Sequence, residues 1–200
     1  MKQPISELIE EGGYIERADI TQADFSDFLG EELRVLDSQF TGCTFSNTVF
    51  SRSHFSDVTF TEMSAPDVSF VHSGLHNVVF SHSRIGGFQA FDSSWVHARI
   101  EACKIGFFNL RGTRITDIHF VDCTLDELDL SAAQLKNVIF DNCTIDHLVM
   151  NETHCTKVDV RGAHIARVSN AAGLKGTIMN PEQFTELAPS FAKMLGITLK

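Results

Sequence analysis

The 200-residue chain has no run of eighteen apolar residues, so no bilayer-spanning helix is expected. Its start, MKQPISELIEEGG, is acidic and lacks the apolar stretch of a secretory leader, so no leader is expected. Five cysteines include no paired motif, which points to a reducing compartment and a cytoplasmic location. Positive charge is scarce: the net charge is −10. Phosphates would be repelled, so direct nucleic-acid binding is not expected, whereas a basic protein surface suits the chain. No glycine-rich phosphate loop and no GxSxG elbow is found. With 43% apolar and 21% charged residues the chain should still fold, and its length fits one domain.

What the sequence does have is a period. In the stretch DSQFTGCTFSNTVFSRSHFSDVTF, Phe40, Phe45, Phe50, Phe55 and Phe60 stand five apart. On an α-helix such a step advances about 500°, so the rings would scatter around the axis. In a flat strand an odd step flips the side chain each time. A chain that turns a corner once per repeat keeps every fifth residue inside, and such a chain is a solenoid. From Ile20 to Ile165, every number ending in 0 or 5 carries Ile, Leu, Val, Phe, Met or Trp, except Gly30, Ala65, Ala90 and Cys155. Phe80, Trp95, Phe120 and Phe140 belong to this core repeat.

A second inward position is expected two residues earlier, at numbers ending in 3 or 8. Charge tests this. Between residues 18 and 168, 20 acidic and 11 basic residues avoid all four endings. Random placement would do so about once in ten million, and the cost of burying charge explains the avoidance. A step of twenty then gathers similar residues: Cys103, Cys123, Cys143 in one column, Ser53, Ser73, Ser93, Thr113 in another, Val58, Val78, Ala98, Ile118 in a third. Twenty residues per coil means four sides.

The inward pair resembles the pentapeptide-repeat motif A(D/N)LXX, most plainly in Ala18-Asp19-Ile20-Thr21-Gln22 and Ala23-Asp24-Phe25-Ser26-Asp27. The resemblance implies an all-β fold, a right-handed quadrilateral parallel β-helix with a C-terminal α-helical cap. The expected division is an N-terminal cap over 1–14, the β-helix over 15–175 and a helical segment over 176–200. Asn180-Pro181-Glu182 reads as a helix start. Phe184, Leu187, Phe191, Met194 and Leu195 form an apolar stripe, with a kink or break expected at Pro189. Gly196 should end the helix, with a short strand over 197–199. The stripe can serve as a simple cap; the family resemblance implies a homodimer interface as well.

No catalytic constellation is visible, and neither an enzyme nor a cofactor is expected. The cysteine column reads as small core residues rather than a metal site, since no histidine joins it. His72, His76 and His82 read as surface residues. Charge is uneven along the chain: residues 116–160 carry nine acids and two bases. Asp117, Asp122, Asp126, Glu127, Asp129, Asp141 and Asp146 form the candidate acidic strip. It either keeps the rod soluble or faces a basic partner. By its acidity, length and tail, the chain is similar to the gyrase-interacting Qnr-type and MfpA-type members. That resemblance implies a DNA mimic that binds DNA gyrase or topoisomerase IV, inhibiting it or protecting it from quinolones. The unbroken phase predicts no projecting loop and so favours the MfpA type, although Arg84 to Ala90 resembles an irregular mid-rod stretch of Qnr-type proteins. The alternative is a scaffold or regulator with another protein partner.

Overall fold

The computed structural model describes residues 13–198. Most of the expected N-terminal cap, residues 1–12, lies outside the described residues. From Tyr14 the chain winds as a parallel β-solenoid of about eight coils with two short C-terminal helices. Strands pair with the strand one coil away in a register of twenty residues, shortened to nineteen at the last pairing: Phe60 lies against Phe80, Trp95 against Ile115, Phe120 against Phe140, and Val158 against Thr177. One sheet has eleven strands and the other eight. Each bends round a corner, as in the strand His54–Thr61, which turns at Asp57.

Four faces result, named here by a central residue as the Phe60, Ile105, Leu130 and Trp95 faces. The core is a set of stacked columns. Phe40, Phe60 and Phe80 stack with ring centroids 4.9 Å apart, and Phe120 and Phe140 stack at 4.6 Å. All five are buried, as is Trp95. The second inward position takes short polar side chains as readily as apolar ones, because backbone partners lie beside it. Ser73 Oγ donates to Phe50 O at 3.0 Å and accepts from Ser53 N. The thiols of Cys103, Cys123 and Cys143 point the same way, each toward the carbonyl two residues back at 3.2–3.3 Å. Burial raises the Cys103 thiol pKa above its ordinary value.

The corners fall at numbers ending in 2 and 7. Three of the four use left-handed backbone, such as Asp57 (φ 58°), Asn77 (52°), Asp122 (52°) and Asn142 (49°). Asp and Asn tolerate that region best among non-glycine residues. The fourth corner starts the same way at Asp27 and Asn47 but is not left-handed at 67, 87, 107, 127, 147 or 167. Residue type does not set the choice, since Asp67 and Gly87 stand at this corner while Arg52, His72 and His97 are left-handed at the others. The switch comes where the strand Thr44–Ser51 slips in register against Ser64–Ser69, near Ser46. Arg84 to Gln89 is a regular strand in register on both sides, not an irregular stretch.

Pairing continues to Thr177–Ile178, which lies on His154–Asp159. Two helices follow, α1 (Pro181–Glu186) and α2 (Ala188–Met194). Asn180 and Gln183 form a reciprocal capping box at the start of α1. The break between the helices is at Leu187, just before Pro189. Gly196 (φ 70°) closes α2 in a Schellman pattern, with Ile197 N–H donating to Ala192 O and Gly196 N–H to Lys193 O. The short strand expected over 197–199 does not form at Ile197 and Thr198, and Leu199 lies outside the described residues.

Candidate protein-interaction surface

The acidic candidates do not share one face. Asp141 lies on the Phe60 face, Asp122 on the next corner, Asp126 and Asp146 on the Ile105 face one above the other, and Glu127 on the corner beyond. Asp117, on the corner before the Phe60 face, and Asp129, on the Leu130 face, stand at the two outer limits, so the strip covers two faces and reaches a third.

Their partners differ. Asp117 accepts from Asn137 at 2.7 Å and lies 3.5 Å from His97 Nδ1. Asp122 accepts from Asn142, one coil on. The same pairing, Asp followed twenty residues later by Asn, recurs at three of the corners, as also in Asp27–Asn47 and Asp57–Asn77. Hydrogen bonding by Asn77 holds the Asp57 carboxyl below the usual carboxylate range. Glu127 lies 3.0 Å from His147 Nδ1, and Asp146 accepts from Arg167 at 3.2 Å. Asp129 accepts from the Ser131 backbone and hydroxyl. Only Asp126 and Asp141 have no hydrogen-bond or ion-pair partner among the described residues. Arg99, paired with Glu101 at 2.7 Å, sits within electrostatic reach of Asp122 and Asp141.

At the C-terminal end the five stripe residues divide. Leu187 is 1% exposed and packs into the core, and Phe191 is partly buried against it. Phe184 is 57% exposed, Met194 45% and Leu195 67%. Because the helix breaks at Leu187, the stripe cannot face the rod along its whole length. Phe184 and Phe191 stack at 4.9 Å, and Ile178 and Ile197 add further exposed apolar surface.

A residue that sequence reasoning missed closes the rod. The buried Gln183 side chain donates to Val160 O at 2.5 Å and Ala163 O at 2.6 Å, satisfying carbonyls of the last coil. Ser190 Oγ likewise accepts from Val168 N. Among the described residues no group of three or more His, Cys, Asp or Glu is placed to hold a metal ion. No described helix is long and apolar enough to cross a membrane.

A solenoid of five-residue sides with alternating inward positions defines a class of repeat protein. Family models agree: one described as pentapeptide repeat region matches residues 33–110, and one described as pentapeptide repeats (8 copies) matches 109–144. Together these run over more than half of the sequence, and the chain belongs to the pentapeptide-repeat family. No curated protein sequence matches it. Among solved structures it is similar to HetL, a pentapeptide repeat protein involved in heterocyst differentiation regulation from the cyanobacterium Nostoc. That overlay has a TM-score of 0.37 at 8% identity, covering 75% of this chain and 84% of that one. It is also similar to full-length QnrB1, a plasmid-mediated fluoroquinolone resistance protein, with a TM-score of 0.33 at 13% identity over 92% and 100% of the two chains. Overlays this loose carry no argument about partner or activity.

Proposed function

We propose that this chain is a non-catalytic binding rod that offers the charge of a DNA duplex to a DNA-binding enzyme, DNA gyrase or the related topoisomerase IV, in the cytoplasm. It acts as a homodimer joined through the exposed apolar surface of the C-terminal helices. The observation that carries this reading is linear charge density. Residues 116–160 hold nine acids and two bases in little more than two coils. At about 4.8 Å per coil the rise is about 11 Å for a net charge of −7, or about 1.5 Å per charge. B-form DNA carries one charge per ~1.7 Å. Within the acidic strip the carboxylates free to meet a cationic groove are Asp126 and Asp141, with Asp122 between them held by Asn142.

One observation favours a second reading, a scaffold with a smaller basic partner. The dense segment is short, and residues 41–115 carry five acids and six bases, a net of +1. A titration of purified gyrase in a supercoiling assay, with and without a fluoroquinolone, separates the two. Inhibition by low-micromolar protein, lost in Asp126→Lys/Asp141→Lys, supports the duplex mimic. Relief of drug-induced cleavage adds protection. No effect on gyrase or topoisomerase IV refutes it in favour of the scaffold.

A further inference from the structure

The Ile105 face carries a charge pattern that no part of the acidic strip explains. Before the central residues its outward column reads Arg84, Lys104, Thr124, Thr144; after them it reads Gly86, Gly106, Asp126, Asp146. Arg84 and Lys104 are register neighbours of like charge, and neither has a carboxylate partner among the described residues. Such a pair repels itself. Beside it the two glycines leave bare backbone. A Cβ on Gly86 would lie 2.4 Å from Pro66 O, and one on Gly106 2.7 Å from Gly86 O, so neither position accepts a side chain without a backbone shift. The result is a groove of about 300 Å³ with both cations along one wall and Asp126 at its end.

We propose that this face is self-complementary and that two copies of the chain pack on it antiparallel. Take a two-fold axis lying in the face, across the rod, midway between the Lys104 and Thr124 levels. Lys104 then meets the other copy's Thr124, and Gly106 meets its Asp126. Arg84 meets Thr144, and Gly86 meets Asp146. Each carboxylate enters the space above a bare glycine and stands beside a cation at the same level. Both matches hold at once because cations, glycines and acids all repeat at one coil. The contact is isologous and closed. A parallel pairing sets cations over glycines and acids over threonines, and no opposite charges meet. Charge complementarity thus selects a second copy, turned end for end, as the occupant. Asp126 has no partner to give up, and Asp146 exchanges Arg167 for Arg84.

The face is one side wide and a few coils long, which places the contact among weak, salt-sensitive associations. It would cover Asp126 and Asp146, so it competes with a cationic partner, but it does not depend on one.

Two charge-reversed variants test it. Arg84→Glu/Lys104→Glu makes the face wholly acidic, and Asp126→Lys/Asp146→Lys makes it wholly basic. In sedimentation velocity at low ionic strength, each alone should lose the lateral association of the wild type. Their equimolar mixture should associate at least about tenfold more tightly than the wild type and come apart at ~0.5 M salt. Contact through the C-terminal helices is present in every sample and cannot produce that difference. A mixture no tighter than its components overturns the proposal. A second measurement guards against misfolded reversals. A mixture of Lys104→Cys and Thr124→Cys chains should form a disulfide-linked heterodimer under mild oxidation, faster than either alone. Equal rates in the mixture and the single variants also overturn it.

Discussion

Gln183 is the residue on which closure of the rod most depends, and its replacement has a calculable effect. Its amide is buried, donates to Val160 O and Ala163 O, and its Oε1 accepts from Asn180 N. Val160 O retains a second donor in Ala163 N, whereas Ala163 O loses its partner in Gln183→Ala. An unsatisfied buried acceptor costs about 1–3 kcal/mol and the lost half of the capping box about 1, so the cap loosens by ~2–4 kcal/mol. Gln183→Glu is nearly isosteric but sets a carboxylate against two carbonyl oxygens. It must stay protonated in the folded state or open the cap, so its folded pKa is raised above the ordinary ~4.3. A raised carboxyl pKa leaves stability intact below the unfolded value. The loss grows as pH rises from ~4.3 through the folded pKa. The glutamate variant should therefore be the worse of the two at pH 7 and should gain on the alanine variant as pH falls toward ~4.5. Amide exchange over Thr177–Met194 reports the cap, and fluorescence of the buried Trp95 reports the rod. Cap amides of Gln183→Ala should exchange ~30- to 1,000-fold faster while the Trp95 urea midpoint moves far less, because contacts in a solenoid reach only to neighbouring coils. Unchanged cap exchange, or a glutamate variant that never gains on alanine as pH falls, refutes the assignment.

Phe60 stacks on both Phe40 and Phe80, whereas Phe120 stacks only on Phe140 because Ile100 stands on its other side. Phe60 also meets Phe45, Phe55 and Phe70 edge-on or tilted, against Phe108 alone for Phe120, so Phe60→Leu should cost at least ~0.5–1.5 kcal/mol more than Phe120→Leu in urea unfolding; equal costs would deny these ring pairs any energy of their own. Ala132 is held at φ 56° on a left-handed corner, so Ala132→Gly should raise the unfolding free energy by up to about 1 kcal/mol in urea titration, against the usual cost of glycine in a sheet. Leu125→Asp buries a charge among apolar neighbours and should unfold coils at ~3 kcal/mol or more, seen as lost far-ultraviolet dichroism. Phe184→Glu/Leu195→Glu alters exposed residues, so the melting temperature of the rod should hold while light scattering reports a monomer; a dimer that survives would move the interface elsewhere.

How much of this was legible depended on whether a feature repeats within one column. The inward positions were readable because no charge enters them, and the twenty-residue coil because slots such as Cys103, Cys123, Cys143 stack at that step. The left-handed corners left a partial trace: Asp57, Asn77, Asp117 and Asn137 stand at one of them, although Arg17, His97 and Lys157 adopt the same backbone there. Reading it required knowing that position two after the centre is a corner. The cap was less readable. A stripe at helical spacing puts Phe184, Leu187, Phe191 and Met194 on one face only if the helix is continuous, and the break before Pro189 turns Phe184 and Met194 outward.

The acidic strip shows the limit most clearly. Counting charge along the chain finds its net value, but pairing runs across coils, with Arg167 donating to Asp146 and His147 hydrogen-bonded to Glu127. Those pairs are about one coil apart in sequence, a separation at which charge runs are not ordinarily scored. The same blindness hid the opposite feature, Arg84 and Lys104 stacked with no acid between them. A solenoid turns sequence into a lattice, with one axis at five residues and the other at twenty. Its surface chemistry is set by neighbours along the second axis, so two rods with the same net charge can differ in which carboxylates remain free to meet a partner. Within the acidic strip the carboxylates without a hydrogen-bond or ion-pair partner among the described residues are Asp126 and Asp141, whereas Asp146 already meets Arg167.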